Sequence, residues 1–149
     1  MRCSSLHNQQ LHKLSFHKEN KVLIKDLETI KQQAFIYYLD ENTVVIAGKT
    51  ARDNDFISLK VAAQDDWWFH VKGMPGSHVL LRKESGESPS KNELETAASI
   101  AAYHSKGRNG GTVAVSMCLA KNVSKPRGSK NGLVQITKEK VFKVKPMLP

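Results

Sequence analysis

The run SKNELETAASIAAYHSKG, from Ser90 to Gly107, sets the tightest limit on what this chain can fold into. Ser90 with Glu93 three residues on is a capping-box pair, and Leu94, Ala97, Ala98 and Ala101 repeat at helical spacing. A face of such small side chains buries apolar surface only where its neighbour comes close. The flanking sequence reads as strands, so that neighbour is expected to be a sheet. Gly107 stands where a left-handed C-cap belongs.

The strand-like runs come in pairs. FIYYLD (35–40) and NTVVIAG (42–48) predict a hairpin turning at Asp40, Glu41 and Asn42. WWFHV and SHVLLR predict a second pair, joined by a turn at Gly73 to Gly76. Beyond the helix, TVAVSMCL, LVQIT and VFKVK predict three more strands. Between the pairs, ARDND reads as a charged connection in which Asn54 or Asp55 caps a short helix through FISLKVAA. Ahead of them, Leu23, Leu27, Ile30 and Ala34 form one stripe of a short helix behind Asn20. Residues 1–33 are thus expected to be a leader with a short helix, and residues 34–149 the domain proper. The order of elements predicts an α+β fold, a mostly antiparallel sheet packed with one or two helices.

Charge narrows the function. The chain of 149 residues carries a net charge of +9, and residues 121–149 hold eight basic residues against Glu139 alone. Such a concentration favours a polyanionic partner. Two cysteines, Cys3 and Cys118, make no disulfide framework, and no run is long and apolar enough to span a membrane, so a cytoplasmic protein is expected.

The stretch DDWWFHVKGMPGSHVLL (65–81) concentrates the chemistry. In a strand Trp67 and Phe69 face one way, Trp68 and His70 the other. His70 and His78 flank the turn and can meet across it, but no third ligand stands at zinc spacing, and His7, His12 and His17 share no helix face. Neither a metal nor another cofactor is expected. Ser77 with His78, His70 and Asp66 offers a weak nucleophile set, since PGSHV lacks a nucleophile elbow. AGKT (47–50) looks like the end of a P-loop, yet Thr43 stands where that loop needs Gly, and a charged connection follows instead of a helix. Tyr103 and His104 read as packing residues of the last helical turn.

GKTARDNDFISLK, DDWWFHVKGMPGSHVLLR, ETAASIAAYHSKGRNGG and VAVSMCLAKNVSKPRGSKNG, with a last strand ending in KVKP, follow one another in this order. In that combination the chain resembles, from about Phe35 to Pro146, the NFACT-R domain. This is the RNA-binding domain of ribosome-quality-control proteins, whose bacterial members carry the older name of fibronectin-binding proteins. The resemblance implies a non-catalytic RNA-binding module, with tRNA or rRNA and the large ribosomal subunit as partners. It implies a corner in which Trp68, His70, Ser77 and His78 meet RNA, with Lys106, Arg108 and Asn109 on the same face. Lys121, Lys125, Arg127 and Lys130 would supply the electrostatic grip. The 149 residues leave no room for the family's N-terminal domain or coiled-coil arms, so tailing of nascent chains is not expected of this chain alone. Two other readings stay open: a small hydrolase or nuclease using His70, His78 and Asp66, and a DNA- or protein-binding adaptor.

Overall fold

The computed structural model describes residues 24–84 and 86–149. Most of the expected leader, with Leu23 and the three evenly spaced histidines, lies outside the described residues.

Six strands form one sheet in the order β1-β2-β4-β3-β5-β8, every neighbouring pair antiparallel. They are β1 (Ala34–Asp40), β2 (Thr43–Gly48), β3 (Trp67–Val71), β4 (Val79–Lys83), β5 (Val113–Leu119) and β8 (Lys140–Val144). The α+β expectation holds. LVQIT does not join this sheet: only β7 (Gln135–Ile136) forms, paired with β6 (Val123–Ser124) as a separate ribbon. Lys138, at φ 56°, turns the chain sharply between β7 and β8.

Both faces of the sheet are covered. Helix α2 (Lys91–Tyr103) lays Ala97, Ala98, Ala101 and Ala102 against Phe69, Val71, Val79, Leu81, Val113 and Val115. Its capping box is complete in both directions, Glu93 N–H to Ser90 Oγ and Ser90 N–H to Glu93 Oε1. The opposite face packs Val44, Ile46, Trp68, Leu80 and Cys118 under a 3-10 turn (Ile24–Ile30) and helix α1 (Ala51–Phe56). β2, lying under both layers, is buried along its whole length.

Three local expectations are corrected. Ala34 belongs to β1, so the stripe through Leu27 and Ile30 ends one element earlier. ARDND is not a connection: α1 starts there, capped by Thr50, whose hydroxyl accepts from Asp53 N–H, and it runs on as a π-turn through Val61. α2 ends at Tyr103, not at a left-handed Gly107; His104, at φ −91°, is its cap. Gly107 relieves crowding instead, since a Cβ there would stand 3.0 Å from both Met74 Sδ and Val113 Cγ2.

Candidate nucleic-acid interface

The turn after β3 and the segment after α2 are zipped together. Ser77 N–H donates to His104 O, Lys106 N–H to Pro75 O, and Gly76 faces Ser105 as an isolated bridge. Gly76 is demanded by this approach, because a Cβ would lie 2.9 Å from Ser105 Cβ. Gly48 at the end of β2 closes the next side: its N–H donates to His78 O, and its carbonyl accepts the Ser77 hydroxyl at 2.6 Å. The start of α1 follows directly. Asn54 from its first turns accepts His78 N–H on Oδ1 and donates through Nδ2 to Gly76 O.

The basic loop after β5 is tied to the same corner. Asp55 takes the Lys125 ammonium at 3.0 Å and the Gly132 N–H at 3.1 Å, while Lys125 also donates to the carbonyls of Lys130 and Leu133. These ties bring Lys130 and Asn131 over α1. The result is an open cleft of about 770 Å³ between the end of β2, the turn after β3, the end of α2 and the basic loop.

Cations ring this cleft. Lys49, Lys106, Arg108 and Lys130 line it, and among the described residues none of the four is in an ion pair. Arg108 lies over the Tyr103 ring at 4.0 Å and donates from Nε to Tyr103 O. Lys49 holds its ammonium 5.0 Å from the centre of Phe35. Phe35 in turn stacks on His104, the ring centres 4.5 Å apart and the planes 9° apart. Tyr37 fixes that imidazole through a 2.6 Å hydrogen bond to Nε2.

Beneath the cleft the expected contact residues are largely interior. Trp68 and His78 are buried, and Trp68 Nε1–H donates to Ser58 Oγ, which lies 2.8 Å from His78 Nδ1. With Ser58 accepting from the indole and donating to Nδ1, both partners are satisfied and the imidazole proton sits on Nε2. The Ser77 hydroxyl donates to Gly48 O and His78 Nδ1 is taken by Ser58, and both residues line the cleft. His70 is half-buried, packs edge-on to His78 at 5.3 Å, and does line the cleft.

Burial sets the charge state of these imidazoles. His78 is pushed down to about 4, mainly by loss of solvent and then by His70 beside it, against the opposing pull of Asp55. His70 is lowered by burial, partly offset by the Gly76 backbone, and His104 is lowered by burial and by Arg108. All three favour the neutral ring, so the positive charge of the cleft comes from lysine and arginine.

Of the residues named from sequence, the structure gathers His70, Ser77, His78, Lys106, Arg108 and Lys130 at the cleft. Asn109, Lys121 and Arg127 are exposed but do not line it, and Lys121 instead runs beside Gln64 through its backbone. Lys125 is a brace rather than a free cation. Sequence reasoning missed Phe35, Lys49, Asn54 and the outward role of His104. Thr50 followed by Asp53 carried a usable capping signal that would have placed AGKT at a helix start.

Asp66 lies elsewhere. Its carboxylate is buried against Arg82, 2.6 Å from Nη2, and accepts Ala63 N–H. It lines a second cleft of about 450 Å³, apart from the histidines, so the triad imagined for a hydrolase is not assembled. Among the described residues no group of three or more His, Cys, Asp or Glu could hold a metal ion, and no helix is long and apolar enough to cross a membrane.

Comparison with known proteins fits this geometry. Residues 33–138 match the model of the NFACT protein RNA binding domain. The chain is 38% identical over 98 residues to the Rqc2 homolog RqcH of Bacillus subtilis, covering 66% of this chain and 17% of that protein. It is 38% identical over 107 residues to the Rqc2 homolog RqcH of Streptococcus suis, covering 72% of this chain and 19% of that protein. The solved C-terminal part of the fibronectin/fibrinogen-binding protein from Streptococcus suis superimposes with a TM-score of 0.69 at 35% identity, over 77% of this chain and 45% of the other. The chain thus spans less than a fifth of the length of these two RqcH relatives, and the family match over residues 33–138 includes every wall of the cation-lined cleft. By the family model and by these identities, the chain belongs to the NFACT RNA-binding domain family.

Proposed function

We propose that the chain is a non-catalytic RNA-binding module that contacts tRNA, the RNA of the large ribosomal subunit, or both, in ribosome quality control. The observation that carries this reading is the cleft itself, open to solvent and ringed by Lys49, Lys106, Arg108 and Lys130 with no acidic partner among the described residues. Cations left unpaired around a concave surface raise the local concentration of a polyanion and hold it through phosphate contacts, which position RNA without reading its sequence. The family membership supports RNA over other polyanions. A hydrolytic role through His70, His78 and Asp66 draws no support from the cleft, since Asp66 faces Arg82 in a different pocket.

Binding of labelled tRNA, followed by fluorescence anisotropy across a salt series with duplex DNA as competitor, tests the reading. Four to six neutralised phosphates give a slope of log K against log salt of roughly −3 to −5. Preference for tRNA over duplex with that slope is the expected result. Equal affinity for both would favour the adaptor reading.

A further inference from the structure

An aromatic column crosses the cleft, and each end of it carries a cation. Lys49 sits over Phe35, Phe35 stacks on His104, His104 meets Tyr103 edge-on at 5.2 Å, and Arg108 covers Tyr103. Phe35 is 40% exposed on the edge strand β1, where its side chain is in neither apolar core. An exposed phenyl pre-stacked on a fixed imidazole, inside a cationic cleft, has the form of a stacking platform. Bases within a duplex already have their faces covered. Only a base outside a helix can offer one to Phe35.

Resting on the RNA-binding reading above, we propose that the cleft takes an unpaired nucleotide: its base stacks on Phe35 in place of the Lys49 ammonium, and its phosphates meet Lys49, Arg108 and Lys130. The Lys49 stem is flexible, and among the described residues its ammonium is held by a cation–π contact, worth about 0.5–1 kcal/mol at an exposed site. A base therefore displaces it at small cost, and the freed ammonium can turn to the phosphate. The volume of about 770 Å³ lies within the roughly 300–1,000 Å³ of small-molecule pockets.

The test uses an RNA hairpin with 2-aminopurine in its loop, compared with the same stem as a blunt duplex. Wild-type protein is expected to bind the loop RNA more tightly than the duplex and to quench the 2-aminopurine emission. Phe35→Ala and the bulkier Phe35→Leu are both expected to lose the quenching and about tenfold of loop affinity. Phe35→Trp is expected to keep the quenching. Quenching and loop affinity unaffected in Phe35→Ala would overturn the stacking proposal. Equal wild-type affinity for loop and duplex without quenching would overturn it too, while leaving RNA binding intact; failure to bind either RNA would remove both.

Discussion

The stretch from Asp65 to Arg82 ends in two corners of opposite character. At the first, Asp66 and Arg82 are buried and face each other, with Ala63 N–H and Val61 O completing the set. At the second, the turn from Gly73 to Gly76 and the two histidines support a rim of cations that, among the described residues, have no carboxylate partner. The same two strands, β3 and β4, thus hold a closed pair at one end and an open cleft at the other. Closed polarity locks a fold; open charge is left for a partner. A density of aromatic and polar residues in sequence does not say which of the two it will become.

The comparison predicts that Asp66→Ala acts on stability and not on binding. Leaving Arg82 buried without its carboxylate should cost about 3–5 kcal/mol in urea unfolding. Replacing both, Asp66→Leu with Arg82→Met, should recover most of that loss, and the folded protein should bind RNA as before. A large fall in RNA affinity in that double variant would break the division between the corners.

Acid tests the layer beneath the cleft. His78 is held at about 4 in the native state against about 6.5 unfolded. Below pH 6.5 the unfolded chain takes up a proton that the native state refuses, so stability falls as pH drops, and the contribution is complete above 6.5. Between pH 6.5 and 4 the loss from this group should be on the order of 3 kcal/mol, with His70 adding in the same direction. Urea midpoints measured across that range should show the slope in wild type and a flatter one in His78→Gln.

Gly48→Ala sits at the junction. Its Cβ would stand 2.2 Å from Asn54 Oδ1, which caps His78 N–H, and the overpacking should cost about 1–3 kcal/mol by thermal unfolding. A smaller effect is expected from Arg108→Ala: stability within about 0.5 kcal/mol of wild type, but the salt slope for tRNA shallower by about one. Arg127→Ala, outside the cleft, should leave that slope nearly unchanged.

What could be read in the sequence was local. The capping box at Ser90 and Glu93, the two hairpins and the alternating faces of β3 depend on neighbours within a few residues, and all appear in the structure. Non-local closure was hidden. Phe35 reaches the cleft because it stands opposite Ala47 in the β1–β2 register and because α2 ends at His104, two facts set by sheet order rather than by spacing. Lys125 looked like one cation of a run, and only the approach of Asp55 to the loop makes it a brace. Asn54 was read as a cap because Asn favours that place, yet its side chain is engaged across the fold by His78 and Gly76.

The most direct test of the account is the salt dependence of tRNA binding by the Lys49→Ala, Arg108→Ala double variant beside wild type. Among the described residues neither side chain is in an ion pair or in an apolar core, so the variant should unfold with nearly the wild-type midpoint. The account predicts a slope shallower by about two and a weaker complex at every salt concentration. An unchanged slope and affinity in a folded double variant would mean that RNA meets this protein on some other surface.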